Sequence, residues 1–410
     1  MSVLDPHLAR YAARAKGMTA SEIRALFAVA SRPEVVSLAG GMPDVSVLDY
    51  DQVAAVAAEV MASQGDVALQ YGGGQGSPEL REQLCTVMRT EHVSARPDDL
   101  VVTAGGQQAL DLLARLFIDA GDVIVAEGPS YVGALSAFGQ YEPHIVHVPM
   151  DEGGLIPEAL AETLDRLRDE GRTPKMLYTI PNHQNPAGVS LDLERRQAIL
   201  RLAEDHDLMV IEDNPYGMLD FKHETRTPLV TLAPERVIYI GTLSKIFSPG
   251  MRVGWVLAPR SVRDRLVLLK EASDLCQSNV TQAIAEAWLR TQPWMDQVRA
   301  FTELYRERCD VMLAEIETAF PAEAAVAAPT GGLFAWVSLP PAIDTGAMLP
   351  RAINARVAYV PGRAFFADGG GTQQMRLNFS YADSTKIAEG IRRLGKLIGE
   401  ELTLLEAFGR

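Results

Sequence analysis

Lys245, Asp213 and Arg252 each stand just past a short apolar run. Lys245 ends Gly241-Thr242-Leu243-Ser244-Lys245, after Val237–Ile240, and Asp213 lies in Glu212-Asp213-Asn214-Pro215-Tyr216, which closes Leu208–Glu212. Arg252 follows in Pro249-Gly250-Met251-Arg252-Val253-Gly254-Trp255. Earlier, Thr103-Ala104-Gly105-Gly106-Gln107-Gln108 opens into a helix, whose first N–H groups and positive dipole end would receive an anion. Glu127-Gly128-Pro129-Ser130-Tyr131 adds an aromatic ring, and Ile180 to Gly188 adds three amide side chains and His183. Each has an ordinary reading on its own: a tight βα turn, a packing Tyr, a turn or surface His, a capping Asp, solvated Lys and Arg. Together they suit a phosphorylated ring that carries a carbonyl. An aldehyde needs an amine, a pyridine nitrogen needs a carboxylate, and a phosphate needs N–H groups and Arg.

Elements that could position these groups are visible along the chain. Leu100–Thr103, Asp122–Ala126, His144–Val148, Lys175–Ile180, Leu208–Glu212 and Val237–Ile240 are apolar and rich in β-branched residues, which predicts strands. Helical periods such as Gln107–Ile118 and Leu193–His206 lie between many of them. That alternation predicts an α/β fold with a mostly parallel sheet covered on both faces. Ligands of such sheets sit past the carboxyl ends of the strands, where the polar residues collect. Tyr71-Gly72-Gly73-Gly74-Gln75-Gly76 follows no strand and reads as a loop.

Three units are expected: an arm over residues 1–45 with a helix near Ala20–Ala30, a large domain over 46–290, and a smaller α+β domain over 291–410. The last contains a helix over Trp294–Phe320, Pro329-Thr330-Gly331-Gly332, the apolar run Leu333–Leu339, a helix near Ala347–Ala355, strands near Val357–Val360 and Met375–Phe379, and a helix from Ser384.

The 410 residues carry 38 Lys and Arg against 53 Asp and Glu, a formal net charge of −15, which disfavours a general binder of nucleic acid. Cys85, Cys276 and Cys309 are odd in number and lack metal spacing, so a reducing, cytoplasmic setting is expected. No apolar run reaches the roughly 18 residues of a membrane span.

Thr242-Leu243-Ser244-Lys245 through Trp255 resembles the lysine-attachment motif of class I and II aminotransferases, pyridoxal-phosphate enzymes of fold type I. Tyr71 to Arg81, Asn185-Pro186-Ala187-Gly188, Asp213-Asn214-Pro215-Tyr216, Pro329-Thr330-Gly331-Gly332 and Met375-Arg376-Leu377-Asn378-Phe379 match in the same order. Ala39-Gly40-Gly41-Met42-Pro43 and Gln184-Asn185-Pro186 look like the 2-aminoadipate/kynurenine branch.

The resemblance implies that Lys245 bonds the cofactor aldehyde and later moves the α-proton. It pairs Asp213 with the ring nitrogen, the adjacent cation keeping that carboxyl's pKa low. Asn185 and Tyr216 would meet the phenolic oxygen, and Tyr131 would stack on the ring. Gly106, Gln107, Thr242, Ser244 and Arg252 would hold the phosphate, with Tyr71 reaching in from the second subunit of a homodimer. Arg376 would grip the substrate carboxylate, and Gly40, Gly41 and Arg24 would shape the substrate side. Gly106 replaces a common Ser, and Val45-Ser46-Val47-Leu48 replaces a common Phe-Pro, so side-chain specificity is not inherited.

The activity implied is transfer of an amino group from an L-amino acid to a 2-oxo acid, 2-oxoglutarate by default. The rivals are a pyridoxal-phosphate lyase, decarboxylase or oxidative enzyme of a biosynthetic pathway, and a ligand-sensing transcription regulator. The regulator is disfavoured because only about 45 residues precede the large domain.

Overall fold

The computed structural model describes residue 5, residues 7–16, residue 32 and residues 34–407. Arg24 and the helix expected at Ala20–Ala30 lie outside the described residues. An eight-stranded sheet forms the largest layer. Its order is Leu100–Thr103, Gly254–Leu257, Val237–Thr242, Met209–Asp213, Pro174–Thr179, Val123–Gly128, His144–Asp151 and Gly154–Leu155. The contiguous strands from Val237–Thr242 to His144–Asp151 are parallel. Gly254–Leu257 runs against both neighbours, and Gly154–Leu155 runs against His144–Asp151. The central strands are buried on both faces, the environment that selects continuous β-branched runs over alternation. Leu100–Thr103 stands as predicted and the other five predicted strands are shifted by at most a few residues. Gly254–Leu257 was not expected as a strand, because the Gly and Trp at its start read as part of a motif.

Helices Gly106–Phe117 and Leu193–Asp205 match their predicted periods. Asp192 caps the second, accepting from the Arg195 amide at 2.8 Å. The loop Tyr71–Gly76 has no regular structure and runs along the sheet edge, where the Gln75 carbonyl accepts from the Val102 amide at 2.9 Å.

A second sheet has the order Ala325–Val326, Phe334–Ser338, Gln374–Asn378, Val360–Pro361, all antiparallel. Trp336 faces Arg376 in its register. The helices Trp294–Ala319 and Ser384–Ala407 pack against each other beside it. Val36–Ser37 pairs in parallel with Val357–Ala358, so the chain before residue 45 is stitched to the C-terminal part. Among the described residues no helix is long and apolar enough to cross a membrane, and no group of three His, Cys, Asp or Glu could hold a metal ion.

Two glycines let the second strand of the large sheet approach the turn after the first. Gly105 has φ +80°, and a Cβ there would lie 2.4 Å from an Arg252 guanidinium nitrogen. A Cβ on Gly254 would lie 2.7 Å from the Gly105 carbonyl carbon and 2.9 Å from the Gly106 nitrogen, both backbone atoms that cannot step aside. Gly254→Ala should therefore destabilise the fold by about 1–3 kcal/mol, the usual cost of overpacking. A urea unfolding midpoint unchanged from that of the parent chain would contradict this packing.

Candidate active site

A cavity of about 300 Å³ opens past the carboxyl ends of the large sheet and reaches the second sheet. Gly41, Gly106, Gln107, Tyr131, Asn185, Asp213, Tyr216, Thr242, Ser244, Lys245, Arg252 and Arg376 all line it. Gly40 is buried and does not line it. Tyr71 is 77% exposed and lies outside the cavity of its own chain.

Lys245 projects from the turn that ends Val237–Thr242, and its Nζ donates to the Gly41 carbonyl at 2.6 Å. Burial, then the positive charges of Arg376 and Arg252, pull its pKa from 10.5 down to about 8. Asp213 ends its strand beneath the cavity and accepts from the Tyr178 hydroxyl at 2.8 Å. Among the protein's own groups, burial pushes its carboxyl up to about 6, and the Tyr178 hydrogen bond opposes that rise only in part; the low pKa expected above depends on the cationic ring nitrogen of a bound cofactor. No cation of the described residues forms an ion pair with it, so the counter-charge has to come from whatever binds.

Arg376 sits 4% exposed at the centre of its strand. One terminal nitrogen donates to Asn185 Oδ1 and the other to the Ala39 carbonyl, each at 2.9 Å. Its guanidinium lies 4.1 Å from the Phe334 ring centre, within cation–π range, and its Nε has no partner among the described residues. Burial lowers its pKa to about 10. Asn185 also donates to the Tyr216 hydroxyl at 3.2 Å, and burial drives that phenol's pKa upward.

At the other end the helix Gly106–Phe117 points its N-terminus into the cavity. The Thr242 hydroxyl accepts from the Ser244 amide at 3.1 Å, and Arg252 donates to the Ala104 carbonyl at 2.8 Å. Free helix N–H groups, two hydroxyls and a guanidinium form an anion cradle. This donor set fits pyridoxal 5′-phosphate: a cradle for phosphate, a buried carboxylate for the ring nitrogen, a hydroxyl and an amide for the phenolic oxygen, and an amine for the aldehyde.

Some contributors were not assigned from sequence. Tyr178 lies inside a strand and gave no signal. Phe334 was part of an apolar run. Glu127, 1% exposed, accepts from the Thr179 hydroxyl at 2.5 Å, the Ile180 amide at 3.1 Å and Gln184 Nε2 at 3.0 Å, and so fixes the turn that carries Asn185. His183 is buried, has φ +46° and does not line the cavity. Its Nδ1 is 3.3 Å from the Ser190 hydroxyl and its Nε2 3.5 Å from Asp220, and burial lowers its pKa. It is a turn residue, buried rather than on the surface.

The lowered pKa of Lys245 gives a direct expectation. In the cofactor-free chain its amine should react with acetic anhydride at a rate rising through about pH 8, because the neutral form dominates above that value. Peptide mapping across pH would report it, and a midpoint near 10.5 would refute the electrostatic reading.

The family model described as aminotransferase class I and II matches residues 33–394. The chain is 41% identical to aromatic-amino-acid aminotransferase 1 of Thermococcus litoralis, over 96% of this chain and 94% of the relative. Among solved structures, a kynurenine aminotransferase of Pyrococcus horikoshii superposes with a TM-score of 0.92 at 39% identity, covering 96% of this chain and 97% of that one. An α-aminoadipate aminotransferase of Thermus thermophilus, complexed with N-(5′-phosphopyridoxyl)-L-leucine, gives 0.89 at 34% identity, covering 97% and 99%.

Proposed function

On the premise that the chain belongs to the class I and II aminotransferases, and is a pyridoxal-phosphate-dependent enzyme, we propose that it transfers the amino group of an aromatic or aliphatic L-amino acid to 2-oxoglutarate in two half-reactions. The observation that carries this reading is Arg376, a buried guanidinium that meets no carboxylate among the described residues and shares a cavity with Lys245 and Asp213. An uncompensated buried cation is costly unless a ligand supplies the anion.

Pyridoxal 5′-phosphate, when bound, supplies an aldehyde for the amino group and a ring that accepts the electrons left when the α-proton departs. Asp213 holds positive charge at the ring nitrogen. Tyr216 and Asn185 hold the phenolic oxygen, Tyr131 covers the ring face, and Gly106, Gln107, Thr242, Ser244 and Arg252 hold the phosphate. Arg376 fixes the substrate carboxylate, so that the α-hydrogen is presented to Lys245. Lys245 Nζ takes that proton and returns it, which a pKa of about 8 suits. Gly41 and, outside the described residues, Arg24 are assigned to the substrate side. Met42, Val132 and Phe334 give the cavity an apolar wall, and among the described residues each cation that lines it (Lys245, Arg252, Arg376) already has a role; both favour an apolar donor side chain.

The exposure of Tyr71 away from its own cavity supports a homodimer in which it completes the partner's site. Three free cysteines support a cytoplasmic setting. We assign residues 46–290 to the cofactor domain, 291–410 to the small domain, and 1–45 to an arm that packs with the latter.

Visible absorbance of the cofactor-loaded enzyme should bleach with aromatic or aliphatic amino acids and return with 2-oxoglutarate. Release of ammonia or carbon dioxide in place of that recovery would refute transfer. Lys245→Ala should abolish turnover. Arg376→Lys should raise KM for amino acid and oxo acid alike by about 10- to 100-fold, the worth of a charge-assisted hydrogen bond; unchanged KM values would remove Arg376 from the grip.

A further inference from the structure

Gln107 and Gln108 are neighbours with opposite tasks. Gln107 lines the cavity and donates to the Gly133 carbonyl at 2.9 Å, whereas Gln108 turns back behind the anion cradle. Its Oε1 accepts from the Ala104 amide at 2.7 Å, and its Nε2 donates to Asp274 Oδ2 at 2.7 Å. The other oxygen of Asp274 accepts from Lys270 at 3.2 Å, and that Lys side chain is wholly buried. Ala104 is thereby held at both ends, since its carbonyl accepts from Arg252. Three residues beyond Asp274, Gln277 donates to the Arg252 carbonyl. One short stretch, the end of helix Arg260–Asp274 and the residues after it, thus braces both the Thr103–Gly106 turn and Arg252.

The charges along this brace matter as much as its shape. An aspartate at a helix C-terminus, one layer behind a phosphate site, would repel the phosphate. Lys270 lies one helical turn before Asp274 and offsets that charge without reaching the cavity. Removal of the Asp274 carboxylate would free Gln108 to rotate, and the Ala104 amide would lose its acceptor.

We propose that Asp274, acting through Gln108 and balanced by buried Lys270, is a positioning residue that sets the geometry of the anion cradle and hence the affinity for the cofactor's phosphate. The proposal rests on the cradle assigned above. Its test is the Kd of the cofactor-free enzyme for pyridoxal 5′-phosphate and for pyridoxal, which lacks the phosphate, together with kcat at saturating cofactor.

Asp274→Ala, made together with Lys270→Met so that no buried charge is left unpaired, and Gln108→Leu should each weaken pyridoxal 5′-phosphate about five- to tenfold, the range of one lost hydrogen bond. The Kd for pyridoxal and the saturated kcat should stay within about twofold. Asp274→Asn, which keeps an oxygen for Gln108, should recover most of the affinity. Gln108→Leu reads the same brace from its other end should Asp274→Ala fail to fold. Equal losses for pyridoxal and its phosphate, or an unchanged Kd in both variants, would overturn the proposal. Arg252→Ala separates the two levels: if it weakens the phosphate ester while Asp274→Ala does not, the brace is wrong and the cradle stands. If Arg252→Ala also has no effect, the cradle itself is wrong.

Discussion

Buried positive charge organises this molecule. Lys245 and Arg376 enter one cavity from different sheets, where the exclusion of water disfavours the charged form of both, and Arg376 adds to the effect on Lys245. In most proteins such groups would be paired with carboxylates. Here they are held by neutral acceptors, the carbonyls of Ala39 and Gly41 and the Asn185 amide oxygen, which orient the cations without neutralising them. The result is a site prepared for an anionic ligand, with an amine that can shed its proton near neutral pH. Asp213 is the mirror image: a buried carboxylate whose one side-chain partner among the described residues is a phenol, prepared for a cation. The fold holds these opposite deficits apart until a ligand carrying both signs joins them.

Much of this could be read in the residues. The buried strands announce themselves because both of their faces are apolar, and the polar turns after them mark the ligand edge. The turn at Gly105 and the Lys245 segment each have an ordinary reading alone and become legible only when the polar turns are taken together. What stayed hidden depends on pairing between distant segments. Tyr178 reaches Asp213 across neighbouring strands, and Gly254–Leu257 is a strand only because Leu100–Thr103 and Val237–Thr242 lie on either side of it.

His183 shows how chemistry-bearing residue types can mislead. A histidine two residues before Asn185 invites a catalytic role, yet its ring is spent as a wedge against the Gly331-Gly332 turn, where added Cβ atoms would lie 2.4 and 2.8 Å from His183 atoms. The next residues lead into Phe334, whose ring supports Arg376. Packing, and not proton transfer, thus connects His183 to the Arg376 end of the cavity.

The Arg376 grip joins three segments that are far apart in the chain: the N-terminal stretch at Ala39, the turn at Asn185 and the strand of Arg376 itself. A carboxylate seated on that guanidinium therefore binds only when all three are assembled, and by mass action it stabilises the folded chain by RT ln(1 + [L]/Kd). If Arg376 is the carboxylate grip proposed above, simple carboxylate buffers should act as weak ligands of this protein, competing with substrate and protecting the folded chain.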